Sequence, residues 1–135
     1  MSARQITKAD ITPPAQYGAV RAERRAAVAA LKRKRRIEVG PVVTFYFECF
    51  ETMLHQVNEM LFIEKGGEAQ IADELAAYNP LIPNGSELTA TMMIEIEDPV
   101  RRARLLGQMG SIETTVSVRL GNDTIMGLPE NDQER

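Results

Sequence analysis

The sequence predicts an α+β fold: two layers, an antiparallel or mixed sheet of about four strands, and helices packed on one face of it. Three observations lead there. The run Val42-Val43-Thr44-Phe45-Tyr46-Phe47 is β-branched or aromatic at nearly every position and feeds directly into an amphipathic helix pattern from Phe50 to about Ile63. The clearest strand, between Glu87 and Glu97, alternates on one face only: Leu88, Ala90, Met92, Ile94 and Ile96 point one way and Thr89, Thr91, Met93, Glu95 and Glu97 the other. The segments then follow in the order helix, strand, helix, helix, strand, helix, strand, strand, which suits an α+β layer arrangement.

At 135 residues the chain has the size of a single domain, able to bury roughly two-thirds of its unfolded surface. Ile6 to Ile11 reads as a leader, and Thr12 with Pro13 as N-cap and first residue of a basic helix over about 13–36. Tyr17, Val20, Ala27, Val28 and Leu31 recur on one face of it, and Lys32-Arg33-Lys34-Arg35-Arg36 complements the negative end of its dipole before Gly40-Pro41 breaks the chain. The strand at Val42 to Phe47 is expected to be covered on both faces. In the central helix Phe50, Met53, Leu54, Val57, Met60 and Leu61 form the apolar side, and Gly66-Gly67 the C-cap. A third helix from about Glu68 to Tyr78 stops at Asn79-Pro80, where a Pro-rich loop carrying Leu81 and Ile82 packs down. Asp98-Pro99 opens a short helix, Thr114 to Leu120 alternates, and Gly121-Asn122 is a hairpin signal leading into Thr124 to Leu128. The tail 129–135 is polar.

Composition narrows the function classes. No run of about 18 apolar residues is present to span a bilayer, and no apolar segment follows the polar first ten residues as a signal peptide requires. One cysteine and one histidine are too few for an internal disulfide or an ordinary zinc site, so a cytoplasmic location is expected. Cys49 falls in phase with Met53 and Met60, as a small core residue does. The net charge of −3 hides a division: residues 1–40 hold ten Lys or Arg against three Asp or Glu, and residues 41–135 six against sixteen. The basic front helix is therefore expected to dock on its acidic neighbours.

Several motifs together resemble one bacterial family. They are the basic run Lys32 to Arg36 into Val39-Gly40-Pro41, Phe47-Glu48, Gln56-Val57-Asn58-Glu59-Met60-Leu61 with Glu64, Glu74-Leu75-Ala76-Ala77-Tyr78-Asn79-Pro80-Leu81-Ile82-Pro83, and Ala90-Thr91-Met92-Met93-Ile94-Glu95. Their arrangement is similar to that of the domain-of-unknown-function 3501 family, over nearly the whole chain. The resemblance implies no assigned chemistry. Such proteins are similar to ones encoded beside rubrerythrin-like and heterodisulfide-reductase-like iron-sulfur proteins, which implies an accessory role in redox or peroxide defence with such a protein as partner.

Three constellations are candidates for chemistry. Glu51, His55 and Glu59 form one stripe at spacings of four, and carboxylates with an imidazole can hold a divalent metal, although the di-iron pattern wants Glu-x-x-His in duplicate. By helical phase Glu64 falls on the apolar side of the central helix and Arg24 and Arg35 on that of the first, and Glu64 or Glu59 is the expected partner of Arg24 or Arg35. Unpaired and buried, each would cost several kcal/mol, so a buried ion pair between the two helices is expected. The basic residues Lys32, Arg33, Lys34 and Arg36 are the candidates for phosphate contact, against an acidic remainder that repels nucleic acid and with no stacking platform. The reading with the widest support is a binding protein for a protein partner. A metal-binding or enzymatic domain on the Glu/His face is the alternative and nucleic-acid binding a second, while a strand edge leaves a homodimer open.

Overall fold

The structure, a computed structural model, describes residues 4–110 and 112–130. Their contacts gather in two compact units, Met1–Glu95 and Ile96–Arg135. The α+β class holds: the first unit contains α1 (Pro14–Arg33), β1 (Arg36–Val39), β2 (Val43–Phe47), α2 (Phe50–Glu64), α3 (Gly67–Tyr78) and β3 (Ala90–Ile94). The second contains α4 (Pro99–Gln108) and a hairpin of β4 (Ser117–Leu120) and β5 (Asp123–Met126). The strands therefore form two antiparallel sheets, β1-β2-β3 and β4-β5.

The front helix differs from the sequence expectation at both ends. A proline pushes the residue before it out of the helical region, so Pro13, which precedes Pro14, is extended at φ −52° and ψ 140° and the helix starts at Pro14. Thr12 does not cap it. Its N–H donates to Asn58 Oδ1 at 3.1 Å, and its hydroxyl accepts from Arg24 at 2.7 Å. At the other end the helix stops at Arg33, and Arg36 to Val39 become a strand that the basic run concealed. Ile37 and Val39 alternate with Arg36 and Glu38, and Gly40, at φ 65°, turns the chain into β2 with Ile37 opposite Phe45 and Val39 opposite Val43. β2 continues into β3 with Phe45 opposite Met92 and Val43 opposite Ile94. Of the five β2 residues only Thr44 is buried, so the strand is not covered on both faces.

The core of this unit is helical. Met53, Val57 and Leu61 on α2 close over Ile6 from the leader and Ile82 from the Pro-rich loop, with Ile71, Leu75 and Tyr78 of α3 and Phe50 and Leu54 of α2 around them. Asn79 holds the leader in place like a strand partner: its Oδ1 accepts from the Ile6 N–H at 2.7 Å and its amide donates to the Ile6 carbonyl at 3.1 Å. α2 ends on a left-handed residue, as helices commonly do, but that residue is Lys65, at φ 57°, rather than Gly66 or Gly67. In the second unit Asp98 caps α4 as expected, accepting from the N–H groups of Val100 and Arg101, with Pro99 at the first position. Gly121, at φ 62°, turns the hairpin. Among the described residues no helix is long and apolar enough to cross a membrane.

Candidate functional site

The most constrained chemistry lies where α1 crosses α2. Tyr17 is fully buried, its ring meeting Phe62 edge-on at 5.6 Å. Gly18 makes room for that ring, since a Cβ there would stand 3.2 Å from Phe62. The Tyr17 hydroxyl donates to Glu59 Oε2 at 2.7 Å. One helical turn on, Arg21 grips the same carboxylate with two bonds, Nε to Oε2 at 3.0 Å and Nη2 to Oε1 at 3.1 Å, while its guanidinium lies 4.9 Å from the Phe62 ring centre. Bidentate charged bonds of this kind are among the strongest side-chain contacts a protein makes.

The electrostatics follow from that geometry. The Arg21 guanidinium holds the Glu59 carboxyl down at about 2, with help from the Tyr17 hydroxyl and against the cost of burial. Burial and the bond to Glu59 push the Tyr17 phenol up to about 12. His55, one turn before Glu59, is lowered chiefly by burial; Glu59 pulls it the other way, and Lys32, Arg25 and Arg21 add to the lowering. At neutral pH Glu59 is therefore ionised and His55 neutral.

Beyond the clamp the two helices leave a shallow groove of about 260 Å³. Arg25, Val28, Ala29 and Lys32 line it from α1 at spacings of three and four, and His55, Gln56, Met60 and Ile63 from α2, with Glu59 at its side. Among the described residues Arg25 and Lys32 have no carboxylate within 4.0 Å; Lys32 lies 5.9 Å from the Tyr46 ring centre. The groove thus offers two free cations and a neutral imidazole over an apolar floor.

The candidate residues read from the sequence are distributed differently from the expectation. Glu59 does form an ion pair across the two helices, but with Arg21 in place of Arg24 or Arg35. Arg21 follows the buried Tyr17 by one turn and is aimed at α2, whereas Arg24 is turned aside to the Thr12 hydroxyl, its guanidinium 5.9 Å from the Tyr17 ring centre. Arg35 lies past the end of α1 and spends its guanidinium on the Phe47 and Glu48 carbonyls, at 2.8 and 3.2 Å. Glu64 accepts from Gln70 at 2.7 Å. Glu51 is exposed on α2, and no cluster of three His, Cys, Asp or Glu that could hold a metal ion occurs among the described residues. Of the basic run, Lys32 lines the groove, Arg33 and Lys34 are exposed, and Arg36 bonds Glu38. The expected docking of the front helix on acidic neighbours is confined, among the described residues, to the pair of Arg21 with Glu59, and of its twenty residues only Tyr17 is buried. Tyr17, Arg21 and Arg25 lie outside the site residues expected from the sequence, although their spacing of four, begun by an aromatic, is a signal the sequence carries.

A second buried carboxylate lies apart from this site. Glu48 accepts from the hydroxyls of Thr52, at 2.8 Å, and Thr91, at 2.5 Å, tying the start of α2 to β3.

Residues 5–135 match the model of a family described as "Protein of unknown function (DUF3501)". Among solved structures, the crystal structure of a novel protein of unknown function from Burkholderia pseudomallei K96243 is similar, at 34% identity and a TM-score of 0.85, over 91% of this chain and 71% of that one. Among curated proteins none matches.

Proposed function

The chain belongs to the DUF3501 family of proteins of unknown function, and we propose that it is a binding protein whose α1/α2 groove takes an acidic, partly apolar segment of a protein partner. One observation supports this most: the carboxylate beside the groove is already neutralised by Arg21 and Tyr17, so the charge of Arg25 and Lys32 is left for an incoming ligand. Val28, Ala29, Met60 and Ile63 suit an aliphatic side chain between two acidic ones, and the neutral His55 can donate or accept a hydrogen bond. The groove is short and open, which fits a side-chain cluster on a partner's surface better than an enclosed small molecule. The accessory role beside a redox or iron-sulfur protein rests on the family resemblance alone; the groove asks only that the partner present carboxylates. The location we propose is the cytoplasm, where a free thiol such as Cys49 persists.

The test uses a fluorescently labelled synthetic peptide rich in glutamate and leucine. Its anisotropy should rise on titration with the protein, and binding should weaken with added salt. Arg25→Glu with Lys32→Glu should weaken it by about a hundredfold, at roughly tenfold for each reversed charge, while Arg33→Glu outside the groove changes it little. Equal binding by the groove double variant contradicts the proposal. So does preferential binding of a DNA duplex at physiological salt, which would favour nucleic acid as the partner of the basic helix.

A further inference from the structure

The outer edge of the three-stranded sheet is a surface independent of the groove. Among the described residues β1 pairs only with β2, and all four of its residues are exposed, Ile37 by 54% and Val39 by 52%. The Phe47 N–H donates to the Arg35 carbonyl at 2.8 Å, which sets the phase of the ladder. Bonded and non-bonded pairs alternate along antiparallel strands. Ile37 and Val39 therefore turn their backbone groups toward β2, and Arg36 and Glu38 turn theirs outward. Among the described residues those outward N–H and C=O groups bond to no other backbone group.

We propose that β1 pairs antiparallel with β1 of a second copy, across a two-fold axis at Ile37. In that register Arg36 of each copy stands opposite Glu38 of the other, and because both turn outward these are the bonded pairs, giving four backbone hydrogen bonds across the edge. The side chains agree with the backbone. Arg36 and Glu38 already bond within one strand, so doubling the strand sets four charges of alternating sign on one face. Ile37 meets its own copy on the other face. Shifting the axis to lie between Ile37 and Glu38 would oppose an aliphatic to a carboxylate and put inward-facing groups against outward ones.

Charges on an edge strand usually keep other strands away. Here the order Arg-x-Glu, read against itself, brings unlike charges together, so the same residues select this partner and this register. The apolar face also becomes continuous. Ile37 and Val39 share a face with Val43, Phe45, Met92 and Ile94, and the join gives six strands with that face unbroken. The opposite edge, β3, turns the backbone groups of Ala90, Met92 and Ile94 outward and carries no charge to choose a register; it is the competing site.

Three measurements on the full chain decide the matter. In a Cys49→Ser background, mild oxidation should cross-link Ile37→Cys into a covalent dimer, since a non-bonded antiparallel pair places its Cα atoms about 4.5 Å apart. Val39→Cys should not cross-link, its two copies lying roughly 14 Å apart. By light scattering the protein should be a dimer, Glu38→Arg should raise its dissociation constant at least tenfold, and Arg36→Glu combined with Glu38→Arg should restore it. Glu38→Pro, which deletes an outward N–H and leaves the β2 ladder intact, should give a folded monomer by circular dichroism and light scattering. A wild-type monomer at every concentration, a dimer indifferent to the charge swap, or cross-linking through Met92→Cys on β3 in place of Ile37→Cys overturns the proposal.

Discussion

Replacing Glu59 by glutamine tests the clamp between α1 and α2 by its pH dependence. The carboxyl falls from 4.5 to about 2, and at about 1.4 kcal/mol per pH unit that depression is worth about 3 kcal/mol of folding stability. Glu59 is mostly buried, with 12% of its side chain exposed, so solvent screening removes little of this. A carboxyl whose folded value is depressed stabilises the protein fully above its unfolded value, and the contribution is lost as pH falls through the folded one. The window is therefore 4.5 down to about 2, and at about pH 3 roughly 1.4 kcal/mol should remain. Urea unfolding of wild type and Glu59→Gln across this range is the assay. The gap between them should be largest near neutral pH and shrink by about half at about pH 3. Glutamine keeps part of the hydrogen bonding, so the change in the gap matters more than its absolute size. A gap that stays constant with pH refutes the reasoning, because it would mean that Glu59 contributes shape and not charge.

Tyr17→Phe should delete a step near 12 from the ultraviolet titration of the tyrosines. A phenol raised in the folded state lends stability below its unfolded value of 10.0 that is lost as pH rises toward 12, and the variant should lack this loss. The single imidazole, His55, should titrate below 6.5 by proton NMR; since burial lowers it, wild type should lose stability as pH falls below 6.5, a slope that His55→Gln removes. Asn79→Ala leaves the buried Ile6 without both backbone partners and should cost about 2 kcal/mol in denaturant unfolding. Arg35→Lys cannot reach both carbonyls with a planar fork and should speed amide exchange where β2 meets α2.

Much of this architecture is written in local pattern. The phase of Met53, Val57 and Leu61 identifies the buried side of α2, the Asp98-Pro99 pair starts α4, and Gly121-Asn122 turns the hairpin, because each depends on residues within a turn or two. β1 is hidden because Arg36 continues a basic run that reads as helix, and only pairing with β2, Arg36 with Tyr46 and Ile37 with Phe45, makes those residues strand. That α1 starts at Pro14 and not at Pro13 is legible too, since a proline disfavours the helical region for the residue before it.

The site was half legible for similar reasons. That Glu59 would find an arginine on α1 follows from desolvation, but which arginine depends on the rotation of one helix against the other, set by Tyr17 lodging against Phe62 beside Gly18. Helical phase counted from Val20 and Leu31 favours Arg24; the aromatic anchor favours Arg21. The groove is a product of that crossing and has no signature in either helix alone.

Isotope-labelled protein titrated with the glutamate- and leucine-rich peptide maps the occupied surface residue by residue. The account predicts NMR shift changes concentrated at Arg25, Ala29 and Lys32 of α1 and at His55, Met60 and Ile63 of α2, with the His55 imidazole moving toward its charged form as a carboxylate arrives. Changes elsewhere on the protein with these six residues silent, or no saturable change at all, would contradict it.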